Sequence, residues 1–61
     1  MAYFENALYY MRNGKQMHYK GETYAFAIVD GNWKFVKIVP GDDVTIIDPI
    51  PLEFLLTEDW F

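Results

Sequence analysis

Three kinds of side chain in this sequence could do chemistry: one histidine, a run of aspartates, and aromatics interleaved with lysines. His18 is the only histidine, and Ser and Cys are absent from all 61 residues. A general base needs a nucleophile or substrate proton within hydrogen-bond reach, and the usual side-chain nucleophiles it would activate are missing here. His18 is therefore expected at a surface or half-buried position without a catalytic role. Asp42, Asp43 and Asp48 could bind a cation, but their spacing lacks the alternating ligands and central glycine of a calcium loop, and Gly41-Asp42-Asp43 is ordinary turn chemistry. Gly14, Gly21, Gly31 and Gly41 are dispersed one to a turn and make no phosphate-cradling run. No enzyme activity, metal or cofactor is expected.

Binding is the chemistry left. Tyr9, His18, Lys20 and Lys34 could form an aromatic and basic platform on which the bases of a single strand stack. A net charge of −4 and a pI near 4.6 oppose it, because attraction to phosphates supplies most non-specific affinity. The stretch Thr57-Glu58-Asp59-Trp60-Phe61 offers two large aromatics beside carboxylates, the make-up of an interface anchor with an acidic rim. The competing expectation is that Trp60 and Phe61 fold back to complete a small core.

Charge is unevenly spread along the chain. Residues 1–40 hold five basic side chains against three acidic ones, a balance of +2, whereas residues 41–61 hold six acidic side chains and no basic one, a balance of −6. Such asymmetry either neutralises itself across the folded domain or displays an acidic face, with Asp42, Asp43, Glu58 and Asp59, to a basic partner.

These side chains must be positioned by a very small fold. A chain of 61 residues is expected to be one domain that buries only about 60% of the surface its unfolded form exposes. Without Cys no disulfide supplements the core, so five Phe, five Tyr and two Trp have to supply it, or a homodimer does. No apolar run approaches the roughly 18 residues that span a bilayer, and the first ten residues lack the pattern of a signal peptide, which points to a cytoplasmic protein without membrane contact.

Turn chemistry suggests the arrangement. Asn13-Gly14 suits a two-residue type I′ turn between residues 7–12 and 15–20, pairing Tyr10 with Met17 and Leu8 with Tyr19. Gly21-Glu22 suits a type II′ turn that sets Tyr19 opposite Tyr24 and Met17 opposite Phe26. Asp30-Gly31 gives a third turn, with Phe26 opposite Phe35 and Ile28 opposite Trp33; a three-residue loop through Asn32 would instead move Trp33 to the other face. The three registers agree in placing Leu8, Tyr10, Met17, Tyr19, Tyr24, Phe26, Ile28, Trp33 and Phe35 on one face. Residues 44–48 make a fifth short strand, and Pro49 and Pro51 end regular pairing. The expected fold is mainly β: an antiparallel meander of about five strands over 1–48, curved or closed as an SH3-like or OB-like barrel. The proline-bounded segment 49–61 then adds one or two helical turns or a last strand.

The function this predicts is a non-catalytic protein-binding module, of the kind phages and mobile elements use as small inhibitors or regulators of a larger host protein. Its acidic C-terminal face would imitate nucleic-acid phosphates. Single-stranded nucleic-acid binding through the mixed sheet face is the first alternative, and a structural homo-oligomer is the second.

Overall fold

Residues Phe4–Arg12 are helical, not extended. In the computed structural model, which describes residues 1–61, they form α1. Phe4, Ala7, Leu8 and Met11 recur at the spacing of one helical face, and Phe4, Ala7 and Met11 are buried. Glu5 in the first turn and Arg12 in the last complement the helix dipole.

Asn13-Gly14 consequently ends a helix where the sequence suggested a hairpin. Gly14 adopts a φ of +88°; its N–H donates to the Met11 carbonyl at 3.1 Å and the Lys15 N–H donates to the Tyr10 carbonyl at 3.1 Å. These are the two bonds of a Schellman cap, with Asn13 Nδ2 donating to the Tyr9 carbonyl beside them at 2.7 Å. A type I′ turn and a Schellman cap both need a left-handed glycine, so the dipeptide alone cannot choose between them. Burial of the preceding residues' apolar stripe against the sheet chooses.

The sheet has four strands where about five were expected. β1 (Met17–Tyr19), β2 (Glu22–Val29), β3 (Asn32–Ile38) and β4 (Thr45–Ile46) pair antiparallel in the order β1-β2-β3-β4. β1 and β4 do not pair with each other, so the sheet stays open and no barrel forms. The meander expected over 1–48 is thus a helix followed by four strands.

The two hairpin turns each have two residues with positive φ, as type I′ requires: Lys20 (50°) with Gly21 (78°), and Asp30 (52°) with Gly31 (83°). The second sits where expected and pairs Phe26 with Phe35 and Ile28 with Trp33. The first is one residue earlier than Gly21-Glu22, so Tyr19 pairs with Glu22 and Met17 with Tyr24. That correction slides the register by two residues, and a slide of two leaves every side chain on its face.

α1 and the short α2 (Leu52–Leu56), which follows Pro51, cover one face of the sheet. Beneath them Phe4, Ala7, Met11, Met17, Tyr19, Tyr24, Phe35, Phe54 and Trp60 form the core. Trp60 stands at its centre with no exposed surface, its ring centroid 5.0 Å from Tyr19, 5.3 Å from Phe4 and from Tyr24, and 5.4 Å from Phe54. Its indole N–H donates to the Phe54 carbonyl at 3.1 Å. The backbone there acts as a further strand. Ala2 and Trp60 exchange hydrogen bonds of 2.8 and 3.1 Å on one side, while His18 and Phe61 exchange bonds of 2.7 and 3.1 Å on the other.

Two substitutions test this architecture. Gly14→Ala should cost about 1–2 kcal/mol in urea denaturation although nothing stands within 4 Å of the added carbon, because the cost is the left-handed backbone. Trp60→Ala should cost about 3–5 kcal/mol, a large part of the roughly 3–9 kcal/mol expected for a chain this size. It should therefore abolish the cooperative thermal transition seen by circular dichroism.

Candidate docking groove

The helix is too short for the sheet beneath it. Nine helical residues extend about 13.5 Å, whereas the eight residues of β2 extend about 26 Å. The proximal part of the β2–β3 hairpin is roofed by α1 and α2, and the part near the Asp30-Gly31 turn is bare. Its side chains are nevertheless apolar. Ile28 and Trp33, a cross-strand pair on the same face as the core, are 61% and 69% exposed, and Phe26 behind them is half-buried.

Where this bare arm meets the C-terminal end of α1 there is a groove of about 560 Å³, lined by Met11, Arg12, Gly14, Phe26 and Trp33. Pockets of that volume accommodate a few side chains of a partner. Gly14 has no side chain to fill the groove, and Arg12 brings the one charged group in its lining. The only ion pair in the molecule is elsewhere, between Lys20 and Glu53 at 3.3 Å, so the Arg12 guanidinium is uncommitted.

The residues expected to bind nucleic acid are dispersed. Tyr9 lies on α1, exposed and edge-on to Tyr10, so it does not share a sheet face with the others. Lys20 is held in its turn by Glu53, which also accepts a hydrogen bond from the Tyr19 hydroxyl at 3.1 Å. His18 and Lys34 do share the sheet face turned away from the helices, on which Ala25 and Val36 are buried; His18 lies 3.1 Å from the Thr23 hydroxyl and its ring packs on Phe61 at 5.4 Å.

The residues expected to bind a partner protein are also divided. Trp60 is wholly internal and cannot be an exposed anchor, whereas Phe61 is 61% exposed beside His18 on the face turned away from the helices. Asp42 and Asp43 are exposed in the loop after β3, and Glu58 and Asp59 are exposed ahead of Trp60. Thr23 pairs with Ile38, so the Asp42-Asp43 loop lies at the Lys20-Gly21 end of the sheet. The antiparallel pairing of Phe61 with His18 runs Glu58 and Asp59 back toward that same end. Acidic groups thus gather at one end, and Arg12 stands at the other.

Alternation alone places Ile28, Trp33 and Phe26 in the core, and Arg12 in a hairpin strand; the structure puts Arg12, Trp33 and the outer side of Phe26 around the groove and leaves Ile28 exposed beside them. The sequence does carry part of the signal: the i, i+3, i+4, i+7 stripe from Phe4 to Met11 marks a short helix before Asn13-Gly14. No known family's sequence pattern matches the chain, and neither a curated relative nor a solved structure is detectably similar to it. Nor is any helix long and apolar enough to cross a membrane.

Titration of Tyr24 in the core and of Lys20 at the surface gives a check on the fold. Burial, with smaller contributions from Glu22 and Glu53, raises the Tyr24 hydroxyl above its ordinary 10.0. The hydrogen bond to Glu53, with the nearby Tyr19 and Glu53 charges, raises Lys20 above its ordinary 10.5. Both groups hold their protons more tightly in the fold than in the unfolded chain, so their stabilisation is complete below the ordinary values and shrinks as pH rises through the raised ones. The urea midpoint should therefore fall above about pH 10, and Tyr24→Phe should blunt that fall.

Proposed function

We propose that this chain is a non-catalytic protein-binding module that docks on a larger protein through the groove between α1 and the β2–β3 arm. The observation that carries the proposal is the exposure of Trp33 and Ile28 on the core face of the sheet. Leaving two large apolar side chains in water costs a marginal domain stabilisation it can ill spare, and tryptophan beside arginine is the composition of an interface hot spot. Trp33 takes the anchoring part that Trp60, in the core, cannot play.

The acidic end supplies a second surface. Asp42, Asp43, Glu58 and Asp59 make no ion pair within the chain. They are free to steer association with a basic region of the partner, as phosphates would. A small inhibitor or regulator of a host enzyme, such as phages and mobile elements deploy, has these properties. The dispersal of Tyr9 from His18 and Lys34 gives the nucleic-acid alternative no continuous platform.

Pull-down from source-cell lysate, with and without nuclease, tests this when wild type is run beside Trp33→Ser. The expected outcome is a stoichiometric protein that survives nuclease and is reduced about thirtyfold or more in affinity by Trp33→Ser, with the variant's circular dichroism unchanged. Capture that ignores the substitution, or that disappears with nuclease, would overturn the proposal.

A further inference from the structure

The groove is bordered by backbone as well as side chains. Two-residue turns make Tyr19–Glu22 and Val29–Asn32 hydrogen-bonded pairs, and bonding then alternates along each strand. By that alternation Phe26 and Ile28 turn their N–H and C=O groups toward the β1 side of β2. β1 stops at Met17, opposite Tyr24, because the chain before it has turned away into the cap of α1. Neither residue appears in any of the backbone hydrogen bonds outside the regular elements. The arm is equally unpaired at its other edge: Ile47 donates to the Phe35 carbonyl at 2.9 Å, and two residues further on the same register would bring Pro49, which has no N–H, opposite Trp33.

Such an edge is a template for an added strand, and natural proteins usually blunt one with charge, proline or a covering element. Here the β2 edge at Phe26 and Ile28 is unblunted, opens beside the groove and carries exposed apolar side chains. The charges decide what fits it. Arg12 lines the groove with no acidic partner, and the neighbouring Lys15 lies 5.5 Å over the Tyr10 ring. Asp30, at the tip of the arm, is the one acidic residue in the turn beyond Ile28. The concave part is basic while the molecule as a whole is acidic, so it favours a partner carrying a carboxylate.

Resting on the docking function above, we infer that the occupant is an extended, acidic and apolar segment of another protein. Its backbone adds to the β2 edge at Phe26 and Ile28. One of its alternate side chains lies against Trp33 and Met11, and a carboxylate one or two residues away pairs with Arg12. Bidentate geometry makes arginine the fitting cation for that carboxylate.

The probe is a phage-displayed library of random peptides selected on the wild-type chain, followed by titration of synthetic winners. Trp33 reports binding directly, since the other tryptophan, Trp60, is sealed in the core. Winners should alternate apolar with polar residues and carry Asp or Glu, and should shift the Trp33 emission to the blue. Arg12→Gln should weaken them about tenfold. Arg12→Glu should weaken them further and be rescued by the same peptide with its acidic residue changed to Lys. Methylating alternate peptide amides should abolish binding, because the ladder to Phe26 and Ile28 is then lost. Winners that bind in the groove but ignore both Arg12 variants, or tolerate amide methylation, overturn this inference and leave the docking function standing. The inference also fails if no peptide is selected while a lysate protein is still captured through Trp33, since the groove then takes a folded surface. Concentration-dependent burial of Trp33 in a dimer by sedimentation overturns it in favour of a second copy of this chain.

Discussion

The fold depends on the enclosure of Trp60. Its indole is surrounded by Phe4 from α1, Tyr19 from β1, Tyr24 from β2 and Phe54 from α2, so a single side chain joins four elements of the fold. Its N–H bond to the Phe54 carbonyl fulfils the polar requirement that would otherwise make burying an indole costly. On either side of it the backbone is bonded to Ala2 and, through Phe61, to His18, which carries the sheet across to the start of the chain. In a molecule with no disulfide and no completely buried charged group, this aromatic nest takes the part that covalent staples play in many small domains.

Concentrating the aromatics around one centre leaves another part of the sheet without cover. α1 must end where its Schellman cap turns the chain into β1, and its apolar stripe is used by the Trp60 nest. The β2–β3 hairpin, closed by a I′ turn and held by seven residue pairs, extends beyond that roof with its alternation intact. The apolar face of a strand follows period two whether or not something lies above it, so Ile28 and Trp33 remain on the core face with no core against them. A bare arm, an open groove and an unpaired strand edge thus share one geometric cause.

Charge follows the same division. Of the acidic residues after position 40, Asp42, Asp43, Glu53, Glu58 and Asp59 are brought to the end of the sheet that carries the Lys20-Gly21 turn, where Glu53 is paired with Lys20, while Asp48 follows β4 toward the other end. The Arg12 end keeps a positive side chain that nothing in the chain neutralises. Neutralisation between the two halves is therefore local, and both the acidic end and the Arg12 end keep charges that no ion pair within the chain balances.

The sequence by itself indicated the strands from Met17 to Ile38 and a turn at Asp30-Gly31, with the face of Trp33 hanging on whether that loop had two residues or three. These follow from backbone rules, positive φ at turns and period-two alternation, that operate over a few residues. It also showed that Ser and Cys are absent, since that is a matter of residue types. Tertiary structure decided what local rules leave open. The Asn13-Gly14 cap could serve either a helix or a hairpin, and the burial of Phe4, Ala7 and Met11 against the sheet settled it as a helix. Trp60 could anchor a partner or a core, and only the nest assembled from four elements made it internal. Exposure of Trp33 depends on how far a helix reaches across a sheet, a relation between elements that no short stretch of sequence contains.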